Sequence, residues 1–151
     1  GLAASALRKD RRIIVVVNGL KSKRQRARES EYLLNWAYRT FDTYRMFVAG
    51  ETVVDAGVWL GEAARVPLVL DEDLAVTIKK RARKQLRVVA KFSEPIAAPI
   101  RRGDQLGQLV VTAPGEKKLE LPLKAGADVD DLGTMGRLSA LINHLLWGEK
   151  R

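Results

Sequence analysis

Leu86-Arg-Val-Val-Ala-Lys-Phe92 decides the fold: Leu86, Val88, Ala90 and Phe92 fall on one side at a period of two, with Arg87, Val89 and Lys91 on the other. That is a strand with one covered and one wet face. Leu119, Leu121 and Leu123 alternate in the same way further on. From Phe41-Asp42-Thr43 onward, turn residues recur at short intervals: Gly50, Gly57, Gly61, Pro67, Pro95, Pro99, Gly103, Gly107 and Pro114-Gly115. Short strands so punctuated read as a small all-β sandwich domain over residues 45–124, with Arg102-Gly103-Asp104 as one of its turns.

On either side the pattern changes. Leu2 to Leu7, a polar turn at Arg8-Lys9-Asp10 and Ile13-Ile-Val-Val-Val17 form a predicted hairpin. Its second strand is apolar on both faces, which suits the middle of a sheet and demands neighbours. Gln25 to Thr40 reads as a helix, with Ser30, Leu33, Leu34, Ala37 and Phe41 on one stripe and Trp36 beside it. Residues 1–44 thus make a first part of two strands and a helix. After a linker, Leu132, Met135, Leu138, Leu141, Ile142, Leu145 and Leu146 recur at helical steps, while Thr134, Arg137, Asn143 and His144 fall opposite. A helix from Leu132 to Trp147 would be roughly 24 Å long against about 30 Å of bilayer hydrocarbon, so it cannot span. Trp147 followed by Lys150 and Arg151 suits an apolar–polar boundary, so it either packs on its own domain or lies on a membrane surface. Asp128, Asp130 and Asp131 read as caps of that helix. The fold class is α+β, mainly β, in three parts: 1–44, 45–124 and 125–151.

The 151 residues carry 27 Lys and Arg against 18 Asp and Glu, a net charge of +9, which implies attraction to something anionic. Residues 1 to 31 hold nine basic residues against three acids, a local 9 − 3 = +6. From Lys79 to Lys91 seven positives meet no acid. Neither run has the interleaved aromatics that stacking on single strands needs, which argues against nucleic acid. There is no cysteine, hence no disulfide framework and no thiolate chemistry. The opening Gly1-Leu-Ala-Ala-Ser-Ala-Leu7 lacks an initiator Met and any signal-peptide pattern, so a processed or truncated product is expected.

Catalytic chemistry is nearly absent. His144 is the one histidine and has no Asp, Glu or Cys cluster near it in sequence. None of Ser5, Ser22, Ser30, Ser93 and Ser139 begins a Ser-x-x-Lys, and no Gly-x-Ser-x-Gly, Ser-x-Asn or Lys-Thr-Gly occurs. Asp71-Glu72-Asp73 and Asp130-Asp131 are consecutive acids whose side chains diverge, and no glycine-rich phosphate loop follows an apolar strand. No catalytic residue, metal site or cofactor is expected in this chain.

The order of parts resembles the C-terminal portion of the D-alanyl-D-alanine carboxypeptidases, low-molecular-weight penicillin-binding proteins of the serine peptidase class. Gly1-Leu-Ala-Ala-Ser-Ala, Arg12-Ile-Ile-Val-Val-Val-Asn-Gly19 and Arg26-Ala-Arg-Glu-Ser-Glu-Tyr-Leu-Leu-Asn-Trp-Ala37 are similar to the last two strands and closing helix of the family's peptidase domain. Glu29-Ser30 to Trp36 is the most specific stretch. Val58-Trp-Leu-Gly61, Asp73-Leu-Ala-Val-Thr-Ile78, Pro99-Ile-Arg-Arg-Gly-Asp-Gln-Leu-Gly107 and the terminal helix resemble the second, all-β domain and its membrane anchor.

The resemblance implies that Ser-x-x-Lys, Ser-x-Asn and Lys-Thr-Gly all lie upstream, so this chain is inactive alone. The parent is then expected to remove the terminal D-Ala from peptidoglycan stem pentapeptides through an acyl-serine intermediate, and to be acylated by β-lactams. Arg26 matches a family arginine near the active-site edge, where paired N–H donors would hold a substrate carboxylate. Leu132, Met135, Leu138, Leu141, Ile142, Leu145, Leu146 and Trp147 become the anchor, at the periplasmic face of the bacterial inner membrane. Expected partners are the upstream catalytic part, the stem peptide and an anionic membrane surface. The alternative is a non-enzymatic basic binding module for nucleic acid or a partner protein.

Overall fold

Strands β1 (Leu2–Arg8) and β2 (Arg11–Val17) pair antiparallel in unbroken register from Leu2↔Val17 to Arg8↔Arg11. The two residues between them, Lys9 and Asp10, have φ of 48° and 62°, the left-handed pair that matches a two-residue hairpin to strand twist. The computed structural model describes residues 1–133 and is mainly β, with a curled sheet. These residues divide into two compact units: Gly1–Tyr44 with Ala75–Gln85, and Arg45–Leu74 with the residues from Leu86 on.

In the first unit, helix α1 (Lys23–Thr40) covers one face of the hairpin. Ser22 caps it, its Oγ accepting from Gln25 N–H at 3.1 Å, while Gln25 Oε1 accepts from Lys21 N–H at 3.3 Å. The hairpin's other face is bare, and it is greasy: Leu7, Ile14 and Val16 are 66%, 65% and 73% exposed. β2 was expected in the middle of a sheet whose other strands this chain scarcely provides, and among the described residues its one strand neighbour is β1. Its apolar outer face is therefore a surface left uncovered here, because two strands and one helix supply only half a sandwich. A short 3-10 helix, Lys80–Gln85, buries Ala82 and holds the Arg83 guanidinium 5.0 Å from the Tyr44 ring centre.

Strands β3 (Phe41–Phe47) and β6 (Leu74–Lys79) form a two-stranded ladder, and each crosses the boundary between units. Within the first unit, the Thr43 and Thr77 hydroxyls meet across it at 2.8 Å.

The second unit is built on a six-stranded sheet in the order β7-β9-β10-β5-β4-β8, from β4 (Thr52–Trp59), β5 (Arg65–Val69), β7 (Arg87–Phe92), β8 (Ile96–Ala97), β9 (Gln105–Thr112) and β10 (Leu119–Ala125). All neighbours are antiparallel except β4 and β8. Register breaks at Thr52/Val54 and Leu123/Lys124 have the two-against-one count of bulges, which bend and twist a sheet. The expected alternation holds: Leu86, Val88, Ala90 and Phe92 are half-buried and Arg87, Val89 and Lys91 exposed. Along β10 burial deepens from Leu119, 37% exposed, to Leu123, which is fully buried. Val66, Leu68, Ile100, Leu109 and Leu123 form the heart of the core, each worth about 2 kcal/mol on leaving water.

Two of the three acids expected as helix caps, Asp128 and Asp130, engage the Arg101–Asp104 turn, while the helix itself lies outside the described residues. Asp128 Oδ1 accepts from Arg102 N–H at 2.7 Å, and Asp130 pairs with the Arg101 side chain. They bind the Arg101–Asp104 turn, where Gly103 has φ of 93° and Asp104 Oδ2 accepts from Arg101 N–H at 2.7 Å.

Candidate functional site

The chain's last described segment is sewn down on two sides. Ile100 and Val129 exchange backbone hydrogen bonds at 2.8 and 2.9 Å, Glu62 N–H donates to Asp130 O at 2.9 Å, and Leu132 N–H to Leu60 O at 2.8 Å. Gly61 permits the approach, since a Cβ there would lie 2.6 Å from Val58 Cγ1 and 2.8 Å from Val129 Cγ1. The hydrogen bond from Arg101 to Asp130, with their mutual attraction, raises the Arg101 pKa above its ordinary value. Leu132 is thus half-buried on the second unit. The other expected anchor residues, Met135, Leu138, Leu141, Ile142, Leu145, Leu146 and Trp147, lie outside the described residues, as does His144.

Arg26 sits half-buried in the first turn of α1, its guanidinium donating to Leu20 O at 2.9 Å. That bond ties the β2–α1 loop to the helix and leaves further N–H donors on the guanidinium. An open groove of about 490 Å³ runs along the same turns, lined by Arg24, Arg28, Glu29 and Tyr32 among others. Arg26 is not in its lining.

Tyr38, which sequence reasoning passed over, organises the opposite end of α1. It is 9% exposed, and its hydroxyl has two carbonyls in reach, Ala6 O at 2.7 Å and Arg11 O at 2.9 Å. The Arg8 and Arg11 guanidinium carbons lie 4.6 and 5.0 Å from its ring centre. Its carbonyl accepts from Lys80 Nζ at 3.0 Å, a cation at the negative end of the helix. Arg8 also reaches Asn35 Oδ1 at 3.1 Å, and Arg11 meets Asp42 at 3.4 Å. The signal that could have found Tyr38 is its place four residues after Leu34, on the helix face that meets the hairpin.

Among the described residues, no group of three His, Cys, Asp or Glu is placed to hold a metal, and no helix is long and apolar enough to cross a membrane. Charge is sharply divided. The first unit has 15 Lys and Arg against 4 Asp and Glu, 15 − 4 = +11; the second unit's described residues have 9 against 13, 9 − 13 = −4.

A family model described as the C-terminal domain of penicillin-binding protein 5 matches residues 41–131. The chain belongs to that family. Among curated relatives, D-alanyl-D-alanine carboxypeptidase DacC of Escherichia coli (strain K12) is 35% identical over 138 residues, covering 91% of this chain and 34% of its own length. DacF of Bacillus subtilis (strain 168) is 29% identical over 133 residues, covering 87% and 34%. The structure of penicillin binding protein 5 from Haemophilus influenzae superposes with a TM-score of 0.73 at 27% identity, covering 86% of this chain and 38% of the other. The chain spans about a third of the length of the curated relatives it matches, and corresponds to their C-terminal portion.

Proposed function

We propose that this chain is the C-terminal part of a serine-type D-Ala-D-Ala carboxypeptidase that trims the terminal D-Ala from peptidoglycan stem pentapeptides. Residues 1–44 close the peptidase domain, 45–124 act as a spacer, and 125–151 tether the enzyme to the periplasmic face of the inner membrane. The observation that carries the reading is the half-finished sheet of the first unit. Leu7, Ile14 and Val16 form a bare apolar face on β1 and β2, and Ser30 Oγ is buried without a hydrogen-bond partner on the other side. Faces of this kind are costly in water and call for cover, which upstream sequence carrying the serine nucleophile would supply. The names of the relatives support the chemistry.

In this reading the acyl-serine forms and is hydrolysed upstream, and the same serine is acylated by penicillins. Arg26, anchored through Leu20 O, offers its remaining N–H groups to the stem peptide's terminal carboxylate. The decisive experiment captures the native protein with an antibody against residues 50 to 124 and measures its intact mass and its labelling by fluorescent penicillin. A labelled species well above 16.8 kDa is expected; an unlabelled 16.8 kDa species with no larger form would refute the reading. Anchoring is tested separately, by co-sedimentation with anionic liposomes with and without residues 132 to 151. Equal binding by both forms would sink the anchor.

A further inference from the structure

The two basic runs of the sequence lie some seventy positions apart, and Tyr38 brings them to one place. Its hydroxyl holds the hairpin beside the Arg8-Lys9-Asp10-Arg11-Arg12 tip, and its carbonyl takes Lys80 from the Lys80–Gln85 3-10 helix. With Arg39, the next residue, the segments that Tyr38 ties together carry ten basic residues, in the tip, Arg39 and Lys79–Lys84, against Asp10 and Asp42. Some of this charge is spent internally: Arg11 pairs with Asp42, Lys80 caps the helix, and Arg8 and Arg83 lie on aromatic rings. The helix end absorbs about half a unit more. Lys9, Arg39, Arg81 and Lys84 stay exposed with little to offset them, and like charge so concentrated opposes the folded state until an anion meets it.

We propose that this end of α1 is a docking surface for a carboxylate-bearing glycan–peptide polymer, the wall polymer that the parent trims; the inference rests on the function proposed above. The charge is spread over three elements on long, flexible side chains, which fits many spaced carboxylates better than one compact ligand. Trp36, 42% exposed and packed edge-on against Phe41 at 5.3 Å, puts one flat indole beside Arg39 on the last turns of the helix. A single ring of this kind suits the apolar face of a sugar, whereas single-stranded nucleic acid calls for several rings in series and a bilayer for a continuous apolar wedge.

The test uses the full-length protein, upstream part included, pre-acylated with penicillin so that the reacting site is filled. Its sedimentation with purified sacculi is compared with that of a Lys9→Gln, Arg81→Gln, Lys84→Gln variant. None of the three makes a side-chain bond that the fold depends on, and penicillin labelling doubles as the folding control. Binding about tenfold weaker or more is expected for the variant. Wild-type binding should fall on adding salt and on amidating the sacculus carboxylates. A control with the same charge removed from the second unit, Arg45→Gln, Lys117→Gln and Lys118→Gln, is expected to bind like wild type. Unchanged binding by the first variant overturns the inference, and so does tighter binding of the wild type to DNA than to sacculi, or tighter binding to phosphatidylglycerol vesicles than to sacculi once residues 132 to 151 are removed. Failure of penicillin to label the protein overturns the proposed function instead.

Discussion

Adding one methyl group at two glycines of the second unit should give unequal results, although the nominal crowding is nearly the same. At Gly107 a Cβ would stand 2.6 Å from Lys91 O and 2.8 Å from Phe92 Cβ; at Gly57 it would stand 2.7 Å from Glu94 Oε1. The difference is what must give. Gly107 lies in β9 opposite Phe92, so its obstacle is the backbone of the paired strand β7, held by the ladder at about 4.8 Å. Overpacking against backbone costs about 1–3 kcal/mol, and Ala recovers about 0.5–1 kcal/mol by restricting the unfolded chain, leaving a net loss of about 1–2 kcal/mol for Gly107→Ala. Glu94 is exposed and its carboxylate can swing away. Gly57→Ala then forfeits the Gly57 N–H bond to that carboxylate, about 0.5–1.5 kcal/mol, against the same gain, and should fall within about 1 kcal/mol of wild type. Thermal and urea melts of the 151-residue chain check this, with a drop of about 3–6 °C expected for Gly107→Ala and an unchanged urea slope for both. Equal losses at the two sites, or none at Gly107, would show that the β7–β9 spacing does not set the cost.

Tyr38→Phe keeps the ring beneath Arg8 and Arg11 but leaves Ala6 O and Arg11 O without their hydroxyl donor, so a loss of about 1–1.5 kcal/mol is expected in urea melts, and Tyr38→Leu should lose more. A Phe variant as stable as wild type would remove Tyr38 as the organiser of that helix end. Glu120 is held below the usual carboxylate range, first by its hydrogen bond to Lys118 and then by that cation's charge. With a depressed folded value, what the pair contributes is present at neutral pH and disappears as acidity rises through that value. A carbon-detected NMR titration should therefore find Glu120 titrating low, and Lys118→Met should move it upward; an unmoved Glu120 would refute the cause. Amide exchange over residues 1 to 40 should slow markedly when the proposed upstream part is present to cover Leu7, Ile14 and Val16; equal protection with and without it would mean that the bare face needs no cover.

What was legible in the sequence followed from local periodicity. Leu86 to Phe92 announced a strand with one wet face, and Ser30, Leu33, Leu34 and Ala37 a helix with one dry stripe, because each signal is complete within two or three turns of chain. What escaped needed a partner distant in sequence. Asp128 and Asp130 look like helix caps to anyone reading their successors, but their hydrogen-bonding partners, Arg102 N–H and the Arg101 guanidinium, lie nearly thirty residues earlier. Tyr38 escaped for the same reason, since its three partners come from β1, β2 and the 3-10 helix. Arg26 rests on resemblance alone: spacing says nothing about it, and the structure adds its bond to Leu20 O.

The first unit has two unmet demands, and they differ in range. The bare face of Leu7, Ile14 and Val16 is a contact demand, satisfied only by side chains packed within about 4 Å and lost entirely when they leave. It therefore calls for a permanent neighbour, best supplied by the same polypeptide. The surplus charge around the end of α1 acts over a Debye length of about 8 Å at physiological salt, tolerates water in between and can be met by a mobile partner that comes and goes. Each exposed basic side chain there adds a small, salt-sensitive increment rather than a fixed contact, so the surface gains strength from the number of charges more than from the position of any one. That is why the neutralising test removes three cations together, and why the second unit, with 9 basic against 13 acidic described residues, is the proper place for the matched control.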